Sequence, residues 1–176
     1  MPLETPLETV AIAGCGRAGK LHARAAQELG LRVVAHSTTS VNSTSATEFS
    51  KLFPGSRWLA LDPDALCAVA DLVVLALPPA VCDQQAEAFI KSQRHLLIEK
   101  PLSLSSARIR ETLKEHAPDS TKVTVGYNRR AFPLVQEVKH ILTSDPLRWA
   151  EVTVVEDVEF LLRSKREVGG DAYLRV

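Results

Sequence analysis

The chain has 176 residues, room for one domain or for one domain and part of a second. Apolar residues make up 45% and charged residues 24%, a balance that excludes a disordered chain. The 21 basic and 21 acidic side chains cancel, so nucleic acid and anionic membrane are not expected partners, and any anion site must be local.

In chain order, residues 9–13 form a short apolar run ending at glycine and read as a buried parallel strand. Residues 17–29 follow with Ala18, Leu21, Ala25 and Leu29 on one helical face, closed by Gly30. Residues 31–35 are a second strand. The Ser/Thr-rich stretch 37–47 reads as a loop leading into a helix at 46–52, and Pro54-Gly55 is a turn. A third strand is expected at 58–61. Asp62 then caps a short helix, with Pro63 at its first position. Residues 71–77 are the clearest strand, stopped by Pro78-Pro79. Helix is expected at 81–92, strand at 95–98, helix at 103–116 and strand at 122–126. Strands alternating with helices predict an α/β fold with a doubly wound parallel sheet, the Rossmann arrangement. Past Arg130 the rhythm changes to a helix at 134–142 and a half-exposed, antiparallel-type strand at 149–156. A boundary near Gly126 to Arg130 separates a nucleotide-binding domain, 1–127, from a linker helix and the beginning of a second α+β domain, 128–176. Residues 157–176 read as a tail.

The first strand and helix are joined by Gly14-Cys15-Gly16-Arg17-Ala18-Gly19, a GxGxxG loop. Alone that pattern is weak, but here it follows a strand and opens a helix. Gly14 suits a tight turn, Gly16 lets backbone approach a phosphate, and Gly19 lets the helix pack close to the strand. The free N–H groups and the dipole of the helix start favour an anion, the pyrophosphate of a dinucleotide. Cys15 is most simply a small apolar filler, and Arg17 can pair with a phosphate. An acid usually ends the second strand and holds the adenosine ribose. Here the strand ends in His36-Ser37-Thr38-Thr39-Ser40, with no Asp or Glu between Glu28 and Glu48. Hydroxyls at Ser37, Thr38 and Thr39 without a repelling carboxylate point to NADP as the cofactor, with NAD as the alternative.

Three cysteines, Cys15, Cys67 and Cys82, in no CxxC or Cys/His cluster argue against a disulfide framework and against metal. The first residues, Met1-Pro2-Leu3-Glu4-Thr5, do not read as a signal peptide, and the longest apolar runs are too short to span a bilayer. A cytoplasmic protein is therefore expected.

The glycine loop continues as Lys20-Leu21-His22-Ala23, a later strand ends in Leu77-Pro78-Pro79, the next in Glu99-Lys100-Pro101, and the last in Gly126-Tyr127-Asn128-Arg129-Arg130. In this order the sequence resembles the Gfo/Idh/MocA oxidoreductases, a family that includes glucose-fructose oxidoreductase and inositol dehydrogenase. The resemblance covers residues 8–142. It implies hydride transfer between NAD(P) and a sugar, polyol or related alcohol or carbonyl. It also implies that Lys100 lies beside the reacting oxygen as the catalytic residue, with Glu99 orienting the amine or the cofactor. Leu77, Pro78 and Pro79 would border the nicotinamide ribose, Asn128 would lie near the ring, and Pro101 would follow a cis peptide. His22, a usual histidine of the family's first helix, reads as structural.

Full-length members carry a second domain that holds the substrate and often makes a dimer, so a homo-oligomer is an expected state. Here Val168-Gly169-Gly170 resembles the approach to a later motif supplying an aspartate and a histidine, and Arg175 falls where the aspartate would lie. Two other readings follow: a non-catalytic dinucleotide-binding or regulatory protein, and an inactive fragment.

Overall fold

The computed structural model describes residues 6–116 and 122–144. The strand expected at 149–156, the tail and the glycine-rich segment from Val168 lie outside them. The chain divides after Gly126, one unit ending there and the other beginning at Tyr127.

The first unit alternates strand and helix: β1 (Thr9–Ala13), α1 (Arg17–Glu28), β2 (Arg32–Ser37), α2 (Thr44–Leu52), β3 (Arg57–Leu59), α3 (Pro63–Val69), β4 (Leu72–Leu75), α4 (Pro79–Lys91), β5 (His95–Ile98), α5 (Ser106–His116) and β6 (Val123–Val125). The strands form one parallel sheet in the order β3-β2-β1-β4-β5-β6. The doubly wound fold read from the sequence is thus present. In the second unit a 3-10 turn at Asn128–Ala131 precedes α6 (Pro133–Ser144), and the Arg130 guanidinium stands 5.4 Å from the centre of the Tyr127 ring. No helix of the described residues is long and apolar enough to cross a membrane.

Alternation along β1 explains the two layers. Val10 and Ile12 face one side, where Ala23 and Ala26 of α1 and Phe49 of α2 cover them. Ala11 and Ala13 face the other, with Leu66 of α3 and Phe89 and Ile90 of α4. Both sheet faces are therefore apolar, as a parallel sheet between helices requires. Phe49 and Phe89 are fully buried, and each burial contributes about 2–3 kcal/mol.

Several element ends differ from expectation, each for a local reason. β2 continues to Ser37 because the Gly14 N–H donates to the Ser37 carbonyl at 2.9 Å. α4 starts at Pro79, since proline needs no acceptor for a first-turn N–H. α5 starts at Ser106 rather than Ser103: the Asp83 carboxylate holds the preceding turn, accepting from the Ser103 hydroxyl and, at 2.9 Å, from the Leu104 N–H. The capping of α3 by Asp62 is as expected, its side chain accepting from the Asp64 N–H at 3.0 Å.

His36 ties β2 to its neighbours. Its Nδ1 lies 3.0 Å from the Ser56 hydroxyl, its Nε2 lies 3.2 Å from the Ser50 hydroxyl, and its ring packs on Phe49 at 5.0 Å. Burial holds its pKa below the ordinary histidine value of 6.5. The folded state thus prefers neutral imidazole while the unfolded chain takes a proton more readily. The stability this preference contributes is complete above the unfolded pKa and is lost as pH falls from there through the lowered folded value. Thermal unfolding should accordingly show a midpoint that drops below pH 6.5, a drop that is smaller in His36→Gln.

Candidate functional site

Four backbone hydrogen bonds carry the ladder past the strand ends at the carboxyl edge of the sheet. Gly14 N–H donates to Ser37 (2.9 Å), Ala76 N–H to Ala13 (2.7 Å), Glu99 N–H to Leu75 (2.9 Å) and Gly126 N–H to Ile98 (2.8 Å). Each loop after β1, β4, β5 and β6 is thereby locked to the adjoining strand. The strand order reverses between β1 and β4, where open α/β sheets bind their ligands.

The loop from Gly14 to Gly19 lies at that point, and its glycines do different work. Gly14 has φ +100°, and a Cβ there would stand 2.2 Å from the Ala76 carbonyl oxygen. A Cβ at Gly19 would stand 1.8 Å from the Gly14 carbonyl oxygen and 3.2 Å from Cγ2 of Ile12. These two glycines let the loop pass over β4 and α1 settle on β1. A Cβ at Gly16 would meet nothing within 4 Å. Gly16 is also the N-cap of α1, with no side chain capping the turn and no acid in it. Open space before an uncapped helix start suits an anion of pyrophosphate size. Arg17 is exposed, Ala18 is half-buried, and Cys15 is buried.

Cys15 turns away from that space, into the cluster beneath α1, with its thiol against the Ser37 carbonyl at 3.5 Å. Burial pushes its pKa up to about 12, and that of Cys82 to about 11. All three cysteines are free and buried. None should react with a thiol reagent such as iodoacetamide at pH 8 in the folded protein, and all three should react in denaturant. Mass spectrometry reads the difference; labelling of native Cys15 would contradict this packing.

At the end of β2 the hydroxyls divide. Ser37 is fully buried and its Oγ has no partner, so it offers the loop its carbonyl rather than its side chain. The Thr38 hydroxyl donates to the Ser40 carbonyl at 2.7 Å and receives the Trp58 Nε1–H at 3.1 Å. Thr39 is exposed. Beyond them the Glu48 carboxylate of α2 is bound to the Lys20 ammonium of α1 at 2.5 Å, which holds its pKa below the ordinary value.

Leu77 is half-buried after β4, and Pro78 is exposed as the N-cap of α4. Glu99 and Lys100 follow β5. Glu99 is half-buried, Lys100 is exposed, and the Lys100–Pro101 peptide is cis, as the motif implied. Glu99 Oε1 lies 2.8 Å from His22 Nε2, while Oε2 accepts from the Lys100 N–H at 3.2 Å. Asn128 opens the 3-10 turn of the second unit. Residue spacing does not disclose the His22–Glu99 pair or the Asp83 brace, because each joins separate elements only once the sheet is assembled. Among the described residues no group of His, Cys, Asp or Glu is placed to hold a metal.

A six-stranded parallel sheet in this order, with a glycine loop and an uncapped helix at its switch point, is a dinucleotide-binding Rossmann module. The chain belongs to the Gfo/Idh/MocA family: the family model, described as an oxidoreductase family with an NAD-binding Rossmann fold, matches residues 9–127. It is 29% identical over 145 residues to an inositol 2-dehydrogenase of Rhizobium meliloti, an alignment covering 81% of this chain and 42% of the relative. An inositol 2-dehydrogenase of Rhodococcus erythropolis is 32% identical over 145 residues, covering 78% of this chain and 40% of the relative. Scyllo-inositol dehydrogenase from Lactobacillus casei, solved with NAD(H) and scyllo-inositol, superposes with a TM-score of 0.65 at 25% identity, covering 79% of this chain and 42% of that one. The chain thus spans roughly two-fifths of the length of the curated relatives it matches.

Proposed function

We propose that this chain supplies the dinucleotide-binding part of a cytoplasmic oxidoreductase that transfers hydride to or from a hydroxyl-bearing carbon of a sugar or polyol. The observation that carries the reading is the shared carboxyl edge of one sheet: the open, uncapped glycine loop after β1 and Lys100 after β5. Likeness to inositol dehydrogenases supports the polyol class. When bound, the nicotinamide supplies the hydride donor or acceptor. The N–H groups of residues 16–19, at the start of α1, hold the pyrophosphate, and Leu77 and Pro78 border the nicotinamide ribose. Lys100 donates a hydrogen bond to the reacting oxygen and relays its proton.

For the adenosine end we propose a preference for NADP. No carboxylate ends β2, and the next acid, Glu48, is neutralised by Lys20. Thr39 and Arg17 remain exposed to meet a 2′-phosphate. The test is fluorescence titration with NADPH and NADH, followed by turnover with oxidised dinucleotide and a panel of inositols and sugars. NADPH should bind at least tenfold more tightly, a difference of about 1.4 kcal/mol. Tighter NADH binding sinks the preference. Binding without turnover on any polyol sinks the catalytic reading and leaves a dinucleotide-binding protein.

A further inference from the structure

We infer that His22 is a positioning residue for Lys100, acting through the Glu99 carboxylate. The inference rests on the function proposed above for Lys100. It begins with the packing of α1. Gly19, Ala23 and Ala26 are the buried residues of that helix, and all are small. A helix with such a face sits close to the strands, and the missing Cβ of Gly19 brings it against the Gly14 carbonyl. His22, on the adjoining part of the helix, can then span from α1 to the end of β5. Its Nε2 meets Glu99 Oε1 at 2.8 Å, and the two side chains are 23% and 27% exposed. A carboxylate can only accept, so Nε2 carries the proton.

Glu99 is also held through its backbone and by the end of β6. Its N–H donates to the Leu75 carbonyl at 2.9 Å. A Cβ on Gly126 would stand only 3.5 Å from Glu99 Cδ, so the end of β6 closes on the carboxylate. With Oε1 engaged by His22, Oε2 is left to receive the Lys100 N–H at 3.2 Å. The carboxylate thus bridges a helix side chain and the backbone from which the Lys100 amine extends. Without His22, Oε1 faces a half-exposed opening, and the nearest cation along the chain is the Lys100 ammonium itself. Glu99 would then swing to pair with the amine that has to meet the reacting oxygen.

The test compares His22→Ala with His22→Gln, whose amide nitrogen can reach Glu99 as Nε2 does. Amide hydrogen exchange at Lys100, measured without cofactor, should quicken at least threefold in His22→Ala. With oxidised dinucleotide and myo-inositol, kcat should fall roughly 10–100-fold, as expected when a reacting group is misplaced by about 1 Å, while the Kd for NADPH moves less than about threefold. His22→Gln should restore most of both losses. Unchanged Lys100 exchange in folded His22→Ala overturns the proposal. So does a loss of kcat that parallels a loss of NADPH affinity and that His22→Gln leaves unrepaired, because that pattern marks a merely structural histidine. If His22→Ala does not fold, His22→Asn takes its place, with an amide at the Nδ1 position that falls short of Glu99. A wild-type protein that turns over no polyol counts against the proposed function alone, and the exchange measurement still decides the role of His22.

Discussion

Gly19→Ala should strongly destabilise the nucleotide-binding unit, whereas Gly16→Ala should leave its stability nearly unchanged and weaken its hold on a dinucleotide. The two glycines are three residues apart, yet their surroundings are opposite. A methyl on Gly19 would lie 1.8 Å from the Gly14 carbonyl oxygen and 3.0 Å from its carbon. Backbone cannot move aside as a flexible side chain can, so α1 must lift from β1 and from the small residues it packs on. Overpacking of this kind costs about 3 kcal/mol or more, and the melting temperature should fall by roughly 10 °C. Around Gly16 there is only open space, and its backbone is extended with φ −70°, which any residue adopts. Alanine is a poorer N-cap than glycine, so the folding cost should stay below about 1 kcal/mol. With the pyrophosphate bound as proposed, the added methyl would enter the open space before the free N–H groups of α1. Losing one charge-assisted hydrogen bond of about 1.5–3 kcal/mol lowers dinucleotide affinity roughly 10–100-fold. Calorimetry with and without NADPH separates the outcomes. A Gly16→Ala protein that binds as tightly as the wild type would remove the pyrophosphate from this loop.

Lys100→Ala should preserve dinucleotide binding and abolish most turnover. The side chain is exposed after β5, and its backbone is fixed by Glu99 whatever the side chain is. Removing the amine should therefore alter stability by less than about 0.5 kcal/mol, as for most surface positions. On the role proposed for Lys100, the substitution removes a proton relay and a donor to the reacting oxygen, worth roughly 10²–10⁴ in kcat. Lys100→Arg keeps the charge but not the compact amine or its readiness to give up a proton, and it should recover little. Parallel measurement of kcat and NADPH Kd checks this. A Lys100→Ala protein with near-normal kcat would move the chemistry elsewhere.

Much of the fold was legible because its signals are local. Apolar runs such as Val10 to Ala13 and Val73 to Leu75 mark strands buried on both faces, and Asp62-Pro63 marks a helix start. The glycine loop was legible for the same reason, since the turn at Gly14 and the close packing at Gly19 each demand a residue without a Cβ. The side-chain network was not. Ser37 looks like a binding hydroxyl in the sequence, yet β2 runs through it and buries it behind the glycine loop. His22 looks like a helix residue and nothing more, because Glu99 lies far along the chain and only the β1-β4-β5 order brings the two together. Asp83 likewise holds the turn after Pro101 from another helix, which no periodicity along either segment records.

The four N–H donors that extend the ladder past β1, β4, β5 and β6 have a consequence for change at this edge. The frame of the site is written in main chain, and side chains are mounted on it. Thr39, Leu77 and Lys100 can thus be exchanged one at a time while the neighbouring loops keep their register. Such an edge tolerates tinkering: a lineage, or an engineer, can retune cofactor choice at one loop and chemistry at another without rebuilding the sheet that aims them both.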